Sequence, residues 1–83
     1  MDLFVVYLGG RLSPGRIGED HEVVLVVAED EADARAKAKA KWGGAARAHV
    51  DAVSRVGVVD GHRVSVTHTG EPDDVRTDDT HYN

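Results

Sequence analysis

Asp30-Glu31-Ala32-Asp33-Ala34-Arg35-Ala36-Lys37-Ala38-Lys39-Ala40-Lys41-Trp42 alternates alanine with charge, and the reading of this stretch decides the fold. A period of two is ordinarily a strand signature. Composition overrules it here, because Ala, Arg, Lys and Glu are strong helix formers and alanine gives a pleated sheet little to pack. The charges are ordered for a helix as well. Glu29, Asp30, Glu31 and Asp33 crowd the N-terminal end and Arg35, Lys37, Lys39 and Lys41 the C-terminal end, which complements the macrodipole. Asp30 is placed to cap the first turn, and Gly43-Gly44 to stop the helix after Trp42. Glu31/Arg35 and Asp33/Lys37 are acid-before-base pairs four residues apart. On the helical wheel the alanines divide into Ala32/Ala36/Ala40 and Ala34/Ala38. Trp42 joins the second arc, so Ala34, Ala38 and Trp42 are expected to face the core.

Strands are expected on both sides of this helix. Leu3-Phe4-Val5-Val6-Tyr7-Leu8 is a continuous apolar run stopped by Gly9-Gly10, and it reads as a strand buried on both faces. Residues 9–21 carry Gly9, Gly10, Ser13, Pro14, Gly15 and Gly18 and read as a loop. Glu22 to Ala28 is a second strand, again apolar on both faces. Beyond the helix, Ala48 to Val56 alternates, with Ala48, Val50, Ala52 and Val56 assigned to one face. Arg63 to His68 is a fourth strand with Val64 and Val66 on its apolar side. A two-residue Asp60-Gly61 turn would set Val56 and Val58 on the opposite face from Val64 and Val66. An odd loop, Val59-Asp60-Gly61, restores one apolar face and is therefore expected, with a bulge near Gly57 as the alternative. The order is β-β-α-β-β: an α+β domain, with one helix on one face of a four-stranded sheet.

Charge divides the chain. The net charge is −5 over 83 residues. Residues 1–70 hold nine Lys/Arg against ten Asp/Glu, whereas residues 71–83 hold one Arg against five acids. The expected organisation is a single domain over 1–70 and an acidic, mobile tail over 71–83. A nearly neutral body offers no electrostatic footprint for nucleic acid. The absence of cysteine fits a reducing cytoplasm. No segment is long and apolar enough to span a membrane, and acidic Asp2 leading into a strand is unlike a signal peptide.

The candidate chemistry is sparse. Arg11 and Arg16 in the glycine-rich loop are possible counter-charges for a small anion, but the loop lacks the Gly-Lys-Ser/Thr ending of a phosphate loop and leads into a strand. His49 and Asp51 point the same way on one strand. If His21 converged with them from a neighbouring strand, the three would form a ligand-binding set of N and O donors suited to zinc or another divalent ion. Local hydrogen bonding on a solvated strand face is the commoner explanation, so no metal site is assigned and no cofactor is expected. Ser13, Ser54 and Ser65 lack any nucleophile context, and no enzyme activity is expected. The basic run Arg35/Lys37/Lys39/Lys41/Arg47 spreads around the helix without interleaved aromatics and reads as a solvated face.

Several short motifs resemble those of one bacterial family, the domain of unknown function 1543. They are Met1-Asp2-Leu3-Phe4-Val5-Val6-Tyr7-Leu8-Gly9-Gly10-Arg11, Glu19-x-His21, Trp42 closing the helix, His49-Val50-Asp51 and Val59-Asp60-Gly61-His62. The resemblance covers residues 1 to about 68 and is similar to a single-copy form of a domain that the family carries once or twice per chain. The chain departs from the family's pattern in its alanine-rich helix and in His62, where an aromatic is more usual. The resemblance implies no activity.

Counting faces leads to the functional expectation. One alanine-rich helix covers one side of the sheet, while Val5 and Val6, or Val24 and Leu25, point to opposite sides. The uncovered apolar side calls for a second copy. The chain therefore reads as a non-enzymatic interaction module that forms a homodimer through the sheet face away from the helix. The alternative is a small-ligand or anion-binding domain that uses the loop 9–21 with Arg11, Arg16, His21, His49 and Asp51.

Overall fold

The computed structural model describes residues 1–10, 20–43 and 47–74. Three antiparallel strands, β1 (Asp2–Gly10), β2 (Asp20–Ala28) and β3 (His49–Val56), form a sheet in the order β2-β1-β3. The helix α1 (Glu31–Lys41) joins β2 to β3 and lies on one face. A separate hairpin, β4 (Val58–Val59) and β5 (His62–Arg63), follows.

The helix forms as its charges dictate. Asp30 is the N-cap in extended conformation, and its Oδ1 accepts from the Asp33 N–H at 2.8 Å. Asp33 reciprocates one residue earlier, accepting from the Glu29 N–H at 3.0 Å, so two orphan donors at the helix start are satisfied. Ion pairs Glu31–Arg35 at 3.0 Å and Asp33–Lys37 at 3.2 Å run along the exposed side. The N–H of Glu29 and the ammonium of Lys37 together hold the Asp33 carboxyl below its ordinary value of 3.8. A carboxyl depressed in the folded state adds stability above its unfolded value, and that stability is lost as pH falls through the folded value. Melts between roughly pH 2 and 5 at fixed ionic strength should therefore show an acid limb that Asp33→Asn makes shallower. Superimposable limbs for the two proteins would remove Asp33 from the acid response.

Ala34 and Ala38 are fully buried against the sheet, and Trp42, the C-cap residue, packs at the core's edge. Phe4, Val6 and Leu8 of β1 and Val24, Val26 and Ala28 of β2 meet them from the sheet, and Ala48 completes the cluster. Four of these nine buried side chains are alanines, so the core is small and stabilises the domain modestly. Two helix lysines also close one edge of the sheet. Lys37 and Lys41 donate at 2.8 Å to the carbonyls of Val27 and Leu25 on the edge strand β2. Ammonium groups on an edge oppose pairing with another strand.

The structure corrects the expected fold in several places. Gly9 and Gly10 do not end the first strand: β1 runs through both, and β2 starts at Asp20, so the expected loop 9–21 is too wide at both ends, and its residues 11–19 lie outside the described residues. A central strand hydrogen-bonded on both sides overrides the low strand propensity of glycine. β1 and β2 are each buried on one face only; Val23, Leu25 and Val27 are exposed. On β3 the assigned face of Ala48, Val50, Ala52 and Val56 breaks at a bulge opposite the Tyr7/Leu8 step. Val50 and Val53 pack on the core, while Ala52 is exposed.

The expected four-stranded sheet has three strands among the described residues. Arg63–His68 is not a strand of it: only His62–Arg63 pairs, with Val58–Val59. The turn is the two-residue form, with Asp60 at φ 52° and Gly61 at φ 76°, the signs a type I′ hairpin requires. The odd loop served to keep the valines on one face under the helix. Because β4 and β5 form a sheet of their own rather than joining that of β1, β2 and β3, that constraint does not act.

Candidate functional site

Gly9 lies in the middle strand, paired with His21 of β2 on one side and His49 of β3 on the other. All three are on the sheet face away from the helix. Asp51 is the extra residue of the β3 bulge, with no partner across β1, and it joins them on that face. Bulges of this kind re-aim a side chain. Here the re-aimed group is a carboxylate, and it stands between two imidazoles. His49 Nε2 is 3.1 Å from Asp51 Oδ1, and His21 Nδ1 is 3.5 Å from Asp51 Oδ2.

Two further residues hold the arrangement. The Tyr7 ring stacks on His21 with centroids 5.3 Å apart and planes 5° from parallel, an offset contact that fixes the imidazole's plane. Gly9 supplies the floor. A Cβ there would meet His49 Nε2 at 2.7 Å and Asp51 Oδ2 at 2.9 Å, so the cluster in this form requires the missing side chain.

The cluster unites three of the five residues expected to bind a ligand: His21, His49 and Asp51. Arg11 and Arg16 lie outside the described residues. Among the described residues no group of three His, Asp or Glu is arranged to hold a metal ion. The carboxylate lies between the imidazoles, within ion-pair distance of both. Tyr7 and Gly9 escaped the sequence reading. The signal for Gly9 is a glycine directly continuing an apolar strand run, a mark of close approach. Tyr7 gave no signal apart from its place two residues before Gly9.

The rest of this face is apolar. Cross-strand pairs Leu3/Val27, Val5/Leu25 and Tyr7/Val23 lie side by side, with Val56 and Ala52 beside Leu3 and Tyr7 from β3. Tyr7, Val23, Leu25 and Val27 are 39, 48, 51 and 40% exposed. The His21–Asp51–His49 cluster therefore forms the polar end of an open apolar surface. No helix among the described residues is long and apolar enough to cross a membrane.

A family model described as Domain of Unknown Function (DUF1543) matches residues 16–66. That is more than half of the 83 residues, and the chain belongs to this family. No curated protein and no solved structure matches.

Proposed function

We propose that this member of the DUF1543 family is a self-associating module that buries the helix-free face of its sheet against a second copy. The observation that supports the reading is the open surface of Leu3, Val5, Tyr7, Val23, Leu25 and Val27. Its four most exposed members alone put on the order of 300 Å² of apolar area in water, about the size of the largest patch on a typical monomer. The core beneath is rich in alanine, so association would add stability that the protomer lacks. The surface also suits two-fold pairing. Its centre is apolar and its His21–Asp51–His49 end is polar, so two copies related by a two-fold axis would set an apolar centre within polar rims. Native mass spectrometry and light scattering over roughly 1–500 μM should give a dimer that dissociates on dilution. A chain that stays monomeric throughout that range would end this reading.

A second reading places a small polar ligand beside the histidine cluster. It rests on the solvent exposure of the cluster, whose two imidazoles and carboxylate are each a third to a half exposed.

A further inference from the structure

Residues 63–68, Arg-Val-Ser-Val-Thr-His, have the composition and alternation of a strand, yet they belong to no sheet beyond Arg63. The hairpin's last rung is the Val64 N–H donating to the Gly57 carbonyl at 2.9 Å. Past it, residues 65–68 pair with no described strand. Val64 and Val66 are half-buried on one side of the segment, while Ser65 and Thr67 on the other are exposed. The sheet meanwhile has two edges of different character. The β2 edge carries the ammonium groups of Lys37 and Lys41 on its carbonyls. The outer edge of β3 pairs with no described strand.

We infer that residues 64–68 of one copy supply a fourth strand along the β3 edge of a second copy. This inference rests on the proposed self-association and names a contact within it. A second copy is the fitting occupant because each chain carries both halves of the joint, a segment and a sheet edge that pair with no described strand. Two such joints related by a two-fold axis close the assembly. The joint also fits the sheet-face contact. Sheets stacked face to face lie about 10 Å apart, a gap that three or four extended residues bridge. After Gly57 the hairpin forms a two-stranded sheet of its own, in which β5 is not a neighbour of β3, so the returning strand does not pair with its own β3 edge. Strand addition supplies main-chain hydrogen bonds, and Val64 and Val66 supply the apolar side.

Amide hydrogen exchange tests the joint directly. At concentrations where native mass spectrometry shows the dimer, the amides of residues 65–68 should be protected, and dilution to monomer should expose them. Ser65→Pro removes one donor from an extended segment. It should weaken the dimer tenfold or more while leaving the far-ultraviolet circular dichroism of the monomer unchanged. A wild-type dimer whose 65–68 amides exchange freely would overturn the strand joint and leave the sheet-face reading standing. A dimer as tight with Ser65→Pro as without it would do the same. A wild type monomeric at every concentration would overturn both.

Discussion

Val6→Lys should unfold the domain, whereas Val5→Lys should leave it folded and separate the copies. The two residues are neighbours in one strand with the same side chain. Val6 is completely buried beneath the helix, among Phe4, Leu8, Val24 and the alanines of α1. An ammonium there has no carboxylate within the cluster, and an unpaired buried charge costs several kcal/mol or more. The core, in which four of the nine described residues are alanine, cannot absorb that loss in a domain of this size. Val5 points the other way, beside Leu25 of β2 and Ser54 of β3. A lysine at Val5 extends into solvent in the protomer and costs it little. In a sheet-to-sheet dimer it would place a charge near the centre of the contact and near its two-fold mate. The expected results are loss of the cooperative melt for Val6→Lys, and a native-like circular dichroism spectrum with monomeric mass for Val5→Lys. If Val5→Lys stays dimeric, the apolar face is not the interface. If Val6→Lys melts like the wild type, the assignment of faces is wrong.

The contrast also marks what the sequence could and could not convey. The helix was legible because its evidence is local: capping acid, ordered charges and terminating glycines act within a few residues of one another. The arc of Ala34, Ala38 and Trp42 follows from helical periodicity, and it is the packed arc. That one helix would leave one sheet face open was legible from counting. Which of Val5 and Val6 lies on the open face was not, because it depends on where the crossover helix docks.

The errors arose where a partner strand decides. The bulge at Asp51 shifts the parity of β3, and nothing in His49–Val56 alone reveals it, since the pairing with β1 creates it. The turn at Asp60-Gly61 was assigned an odd loop to unite valines that the hairpin does not in fact bring to the core. The convergence of His21, His49 and Asp51 was legible only as a conditional. It needed β1 to lie between β2 and β3 with Gly9 level with both histidines, and strand order is a tertiary fact.

Gly10→Ala should cost the domain far more than Gly9→Ala, although both replace a strand glycine with the smallest side chain. At Gly10 the backbone has φ +159°, a value side chains rarely adopt. A Cβ there would lie 3.0 Å from Trp42 Cζ2, 3.3 Å from the Arg47 carbonyl oxygen and 3.4 Å from Ala48 Cα. Two of those neighbours are backbone and cannot swing aside, and the third is the indole that closes the core at the end of the helix. Strain and overpacking together should remove roughly 2–4 kcal/mol, a drop of about 10 °C or more in melting temperature for a domain this small. At Gly9 the obstructing atoms are His49 Nε2 and Asp51 Oδ2, the ends of side chains that rotate away. Gly9→Ala should therefore keep most of the stability but open the contact between Asp51 and His49. That difference tests the ligand reading separately from the fold. If a small anion binds beside the histidine cluster, inorganic phosphate should raise the melting temperature of the wild type more than chloride does at equal ionic strength. Gly9→Ala should lose that difference, as should the pair Arg11→Ala and Arg16→Ala. An equal response to the two salts in the wild type would leave the histidine cluster as the polar end of an interface and nothing more. Equal melting losses for Gly9→Ala and Gly10→Ala would contradict the packing of Trp42 against Gly10.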